Sequence, residues 1–231
     1  MKKIFTIYLI FIFSLSVLAK NPGQDILEKS DAKIIPSQCS YNISIESSDG
    51  DSQKLQGYKK THDNLLVVKE PKRVAGSAYL RKKNIIWSYY TTNHKTVKVA
   101  YQAVFMGTLL NFGDIMATAL SDDYDVIKVD EDPQFYILNL TSKPNHDGYK
   151  KILLTVDKKT YLPHMRSYYA VSGVLIKQST FKNIEKDSLE IEFVEPLKKQ
   201  KTTVTFTNIN KDASIPMKWF NENYLDQINQ K

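Results

Sequence analysis

From residue 39 to residue 208 the chain repeatedly alternates apolar and polar residues, and a period of two is the signature of strands rather than helices. Cys39, Tyr41, Ile43 and Ile45 alternate with Ser40, Asn42, Ser44 and Glu46, which describes a half-buried strand. Asp49-Gly50 then supplies a hairpin turn. The same rhythm predicts further strands over 52–61, 64–69, 77–81, 85–91, 96–101, 124–130, 134–141, 150–157, 164–171, 174–184, 188–194 and 202–208. Asn145-His146-Asp147-Gly148 and Ser172-Gly173 provide turn chemistry between them. In 188–194, Leu189, Ile191 and Phe193 face one way and Glu190 and Glu192 the other. Strands this numerous and this closely spaced predict an α+β protein, mostly antiparallel β: a strongly curved sheet or half-open β-barrel.

Three segments break the rhythm. Residues 24–33 read as a helix with an acidic start, ending before Pro36. Residues 106–120 place Leu109, Phe112, Ile115, Met116 and Leu120 at helical spacing, and 216–228 place Phe220, Tyr224 and Ile228 on one helical face. No repeat, Pro/Ser-rich linker or low-complexity tract divides the chain, so residues 20–231 are expected to form one domain.

The N-terminus predicts a destination. Lys2-Lys3 precede an apolar run of about 15 residues, from Ile4 to Leu18, closed by Ala19 and then Lys20-Asn21-Pro22-Gly23. The run is shorter than the roughly 20 residues a bilayer-spanning helix needs, so residues 1–19 are expected to be a cleavable signal peptide. The sole cysteine, Cys39, lies too far along to accept a lipid at that cleavage site and has no partner for a disulfide. A soluble protein that works outside the cytoplasm, held together by its packed core, is the expectation.

Little in the chain carries catalytic chemistry. No nucleophile elbow, zinc-protease helix, phosphate-binding loop or paired-cysteine motif occurs. His62, His94, His146 and His164 sit beside turn signals and read as surface histidines. Cys39 reads as a buried structural thiol. Asp122-Asp123 with Asp125, and Asp130-Glu131-Asp132, lack the glycine of a calcium loop and read as solvated turns. No metal, cofactor or catalytic residue is assigned. The formal charge of +7 is scattered lysine with only three arginines, Arg73, Arg81 and Arg166, which argues against nucleic acid.

The chain is instead rich in apolar and aromatic weight, with 14 Tyr and 10 Phe. Trp87 and Tyr89 share a strand face, as do Tyr136 and Leu138, and Phe105, Met106, Phe112 and Met116 crowd the middle helical segment. A curved sheet has a concave apolar face that must be covered. Packed side chains fill it, or part of it stays open to an apolar ligand; periodicity alone leaves both open.

Several motifs share an order and spacing with one family. Gly76-Ser77-Ala78-Tyr79-Leu80-Arg81 followed by Trp87-Ser88-Tyr89 resembles the G-x-x-x-L-R-x-x-x-x-x-W-x-Y signature of outer-membrane lipoprotein-sorting proteins, the LolA/LolB-like group. Phe105-Met106-Gly107 through Asp114-Ile115 is similar to the family's M-G-S-D-F-x-x-x-D-L segment, with Leu109 where the family has an aspartate. Val156-Asp157 through Thr160-Tyr161-Leu162-Pro163 resembles its V-D-x-x-T-x-x-P turn. The helical opening Asp25–Asp31, Gly173–Lys177 and Phe220 with Tyr224-Leu225 also fit, so the resemblance spans nearly the whole mature chain.

That resemblance implies a half-open antiparallel barrel lidded by helices. It implies a carrier, or chaperone, that binds the acyl chains of lipoproteins, or a phospholipid, in an apolar cavity for transfer towards the outer membrane. A transporter of the inner membrane would be the donor and an outer-membrane protein the acceptor; the carrier would be a monomer and not an enzyme. The alternative on the same scaffold is a periplasmic regulatory module that senses lipoproteins or envelope lipids. Trp87, Tyr89, Phe105, Met106, Phe112, Met116, Tyr136 and Leu138 are the expected ligand-binding residues of cavity and lid. The family's lid latch is an arginine followed by proline; here Lys82 follows Arg81, and the latch is not carried over.

Overall fold

The computed structural model describes residues 21–116 and 119–228, so the expected signal peptide lies outside the described residues. Helix α1 (Pro22–Asp31) opens the described chain. The Asn21 side chain accepts the Gly23 N–H at 3.0 Å, and Pro22 fits the first turn, where its missing N–H costs nothing.

Thirteen strands follow. They are β1 (Gln38–Ser47), β2 (Ser52–Lys60), β3 (Asp63–Glu70), β4 (Ala78–Lys82), β5 (Ile85–Tyr90) and β6 (Lys95–Val99). After two short helices, α2 (Phe112–Met116) and α3 (Leu120–Asp123), come β7 (Tyr124–Glu131), β8 (Phe135–Ser142), β9 (Lys151–Asp157), β10 (Pro163–Tyr169), β11 (Leu175–Lys182), β12 (Leu189–Glu195) and β13 (Gln200–Asn210). All thirteen form one antiparallel sheet, ordered β6-β5-β4-β3-β2-β1-β13-β12-β11-β10-β9-β8-β7. The chain thus builds one wing outward from β1 to β6 and the other inward from β7 to β13, and β1 pairs with β13 where the wings meet. The edges β6 and β7 do not pair, so this is a curved open sheet and not a closed barrel.

That order has one topological consequence. The connection from β6 to β7 must run from one edge of the sheet to the other, and its described residues, 100–116 and 119–123, lie across the concave face. The strands present Tyr41, Ile43, Leu55, Leu66, Tyr79, Leu138, Leu154, Phe181 and Phe206 to this face, and the crossover presents Tyr101, Phe105, Leu110, Phe112, Ile115 and Met116 in return. The crossover is less helical than expected over 106–120. Met106 and Gly107 turn with positive φ, Val104 bridges Asn111, and the helix begins only at Phe112. The Thr108 hydroxyl donates to the Phe105 carbonyl and accepts the Leu110 N–H, which stabilises a turn in place of the first helical turn.

The first wing is apolar on both faces. Leu65, Leu66, Val67 and Val68 are all buried, and only Leu66 and Val68 belong to the concave core. Leu65 and Val67 pack on the outer face with Ala78, Leu80 and Tyr89, under a strap formed by Ile215, Phe220 and Leu225. The helix expected over 216–228 is two 3₁₀ turns, Met217–Phe220 and Glu222–Tyr224. Asn221 separates them: its backbone is extended and its side chain accepts the Asn223 N–H, a local bond that competes with the helix. Among the described residues no helix is long and apolar enough to cross a membrane.

Candidate functional site

The crossover plugs the concave face with rings. Phe105 and Phe112 meet edge-to-face at 5.1 Å between centroids, and each meets Tyr79 of β4 edge-to-face at 5.2 Å. These are favourable aromatic geometries. Backbone approach is close as well. A Cβ on Gly113 would stand 2.0 Å from the Tyr101 ring, so only glycine fits there.

Two buried ion pairs pin the plug, one to each wing. In the first, the Arg81 guanidinium on β4 donates to both carboxylate oxygens of Asp123 at 2.6 and 2.8 Å, with the two side chains 2% and 1% exposed. The Tyr101 hydroxyl donates to the same carboxylate at 3.0 Å, and Arg81 also reaches the Met116 carbonyl at 3.4 Å. In the second, Lys177 on β11 donates to Asp114 at 2.6 Å, with side chains 5% and 1% exposed. Lys177 also donates to the Tyr149 hydroxyl at 2.9 Å, and Asn111 donates to that hydroxyl at 2.9 Å. Burial raises the Tyr101 and Tyr149 phenols far above their ordinary range, so both stay protonated and available as donors.

This arrangement corrects three expectations from the sequence. Asp123 is not part of a solvated turn but the buried partner of Arg81. Arg81, which lacks the family's following proline, is nonetheless the residue that ties β4 to the crossover. His146 is not a surface residue: it is 3% exposed, lies between the rings of Tyr101 and Tyr124, and places Nδ1 3.7 Å from the Asp123 carboxylate. One signal could have exposed the cations. Arg81 shares the strand parity of Tyr79, and Lys177 that of Phe181, and a charge at an inward position demands a buried counter-charge.

Burial holds the His146 imidazole below its usual pKa; Asp123 pulls it up and Arg81 pushes it down. The folded protein therefore resists protonation of His146 more than the unfolded chain does. Stability is expected to fall as pH drops below about 6.5, with a slope of at most about 1.4 kcal/mol per pH unit from this group. Urea unfolding of wild type and His146→Gln between pH 7.5 and 5.5 checks this. The variant should lose that part of the slope, and identical slopes would assign the titration elsewhere.

The expected ligand-binding residues divide between two faces. Phe105, Phe112, Met116 and Leu138 are buried in the concave core, with Met106 and Tyr136 half-buried against it. Trp87 and Tyr89 do not join them, and this corrects their assignment to the cavity. In the β4–β5 register Trp87 lies opposite Leu80 and Tyr89 opposite Ala78, and both pairs pack on the outer face beneath the strap. Ile86 and half-buried Tyr90 point to the concave core in their place. The alternation on β5 was legible, but both of its faces carry large apolar residues, so parity alone did not say which face was inner.

The plug leaves little space. A hollow of about 40 Å³ remains at the centre of the concave face, walled by Tyr41, Ile115, Leu120, Phe181, Ile191 and Phe206 together with Asp31, Lys59 and Arg166. It has room for a water or two, not for an acyl chain. A larger hollow of about 430 Å³ adjoins it and shares Asp31, Ile35, Lys59 and Ala119. That hollow opens to solvent between the end of α1, the β2–β3 turn and α3. Among the described residues no three His, Cys, Asp or Glu side chains gather as a metal site.

Known proteins share this architecture. A family model described as "Uncharacterized protein" matches residues 60–227. A LolA superfamily protein from Nitrosomonas europaea superposes with a TM-score of 0.76 at 23% identity, over 87% of this chain and 98% of that one. A domain assigned to outer-membrane lipoprotein sorting, from Vibrio parahaemolyticus, superposes with a TM-score of 0.72 at 17% identity, over 89% and 98%. At these identities the likeness is one of fold. No curated protein matches the chain.

Proposed function

Because the chain belongs to the family described as "Uncharacterized protein" and has the fold of the LolA superfamily, we propose that it is a periplasmic carrier of acyl chains. On this reading residues 1–19 are removed as a signal peptide and residues 20–231 act as one domain. That domain binds the acyl chains of lipoproteins or other lipids on its concave face. It takes them from a donor in the inner membrane, passes them towards the outer membrane, and catalyses no reaction.

The observation that carries the reading is the plug itself. An apolar concave face is covered by a short crossover whose rings stand where a ligand would lie, and whose fastening is two buried ion pairs. Acyl chains would displace Phe105, Phe112, Ile115 and Met116 and take over their contacts. Each buried CH₂ contributes about 0.8 kcal/mol, and exposing the plug costs a comparable quantity per unit of apolar area. The exchange is therefore nearly balanced, which suits a carrier that must release what it binds.

Gentle purification from the native host, followed by native mass spectrometry and lipid extraction, tests the proposal. Co-purified acylated protein or lipid is expected, with uptake of a fluorescent acyl probe by the delipidated protein. A protein that is always empty and never takes up the probe would overturn it.

A further inference from the structure

The geometry points to Arg166 as the anchor for the anionic head of an acyl lipid, a fatty-acid carboxylate or a lipid phosphate. This rests on the carrier reading and narrows its ligand class.

Arg166 lies on β10 opposite Leu154, which places it on the concave face. It lines the central 40 Å³ hollow. Its guanidinium carbon lies over the Phe181 ring, 4.7 Å from the centroid. A guanidinium keeps its N–H donors in one plane as a fork that matches a carboxylate or phosphate.

The other cations of this face have partners. Arg81 pairs with Asp123, Lys177 with Asp114, and Lys59 donates to the Ile35 carbonyl at 3.1 Å. Among the described residues Arg166 forms no ion pair, its side chain meets the neutral Tyr168 hydroxyl, and its buried Nε has no hydrogen-bond partner. Two acids line the same hollow without supplying one. Asp114 is held by Lys177, and Asp31 accepts the Ser121 N–H at 2.8 Å. Burial also holds the Asp31 carboxyl above its usual range, despite the pull of Ser121 and of Arg166 itself. Arg166 is half-buried, and a guanidinium withdrawn from water with its Nε unpaired is stabilised when an anion completes it.

Entrance follows from the walls. Ile115 and Leu120 close the central hollow, and both belong to the crossover that must move for a ligand to bind. Once they withdraw, the adjoining 430 Å³ hollow is continuous with the space in front of Arg166. The head then meets Arg166 and the chain fills the volume of the displaced plug. A neutral, ester-linked acyl chain gains nothing from Arg166, which makes the claim separable from acyl binding in general.

The test is competition against a fluorescent acyl probe on the full mature chain, using oleic acid, oleoyl lysophosphatidate and oleyl alcohol. Wild type should bind at least one anionic lipid ten-fold or more tighter than the alcohol, and the comparison of the two says whether carboxylate or phosphate is the preferred head. Arg166→Met should lower the anionic affinity to that of the alcohol while leaving the alcohol unchanged, and Arg166→Lys should retain part of the preference. Equal affinity for acid, phosphate and alcohol in wild type would overturn the inference and leave the carrier reading standing. So would an undiminished preference in Arg166→Met. Failure of all three lipids to compete would remove both. If Arg166→Met does not fold, the wild-type comparison decides alone.

Discussion

Replacing Asp123 with alanine is expected to cost about 3–5 kcal/mol of stability, the range for removing one partner of a buried ion pair. The loss leaves the Arg81 guanidinium uncompensated at 2% exposure and takes the acceptor from the Tyr101 hydroxyl. For a chain of this size the melting temperature should fall on the order of 10 °C. Replacing both partners with apolar side chains, Arg81→Met with Asp123→Leu, should be much milder, because no orphaned charge remains. The double-mutant cycle separates attraction within the pair from the cost of burying it. Both variants should take up an acyl probe faster than wild type, since the plug has lost its hold on β4. A single variant within about 1 kcal/mol of wild type by urea unfolding would mean the pair is easily hydrated and is no fastening.

Phe105→Ala should produce the second large effect, a loss of about 3–5 kcal/mol from emptying a buried aromatic site. Phe105 is fully buried and makes edge contacts with Tyr79 and Phe112, so the surrounding rings cannot easily collapse into the gap. Its distinctive feature is the opposite sign of the binding effect. If acyl chains displace the plug, shortening the plug removes a competitor, and probe affinity should rise as stability falls. Trp87→Ala is the control. It truncates a ring on the outer face, under the strap, and should lower stability without raising probe affinity. Calorimetry and probe titration on both variants decide the matter. Equal binding changes in the two would sink the idea that the concave face and its crossover are the ligand site.

Much of the fold was legible in the sequence because strand alternation is local. The buried positions of β1 are Cys39, Tyr41, Ile43 and Ile45, which the pattern picks out without reference to any other element. The fastening was not legible in the same way. Arg81 and Asp123 are 42 positions apart, and Lys177 and Asp114 are 63 apart. No local pattern couples residues at that distance. His146 misled for a related reason: its neighbours are turn formers, but the turn is packed against Tyr101 and Tyr124.

The sequence by itself determined the strands, their alternation and the presence of a broad apolar face, since each follows from residues two apart along one strand. Tertiary structure alone decided which face is inner, that the sheet stays open, and that the concave face is plugged. The reason is topological. A chain that lays down one wing outward and the other inward must carry the β6–β7 connection across the trough, and where its described residues settle depends on partners from both wings.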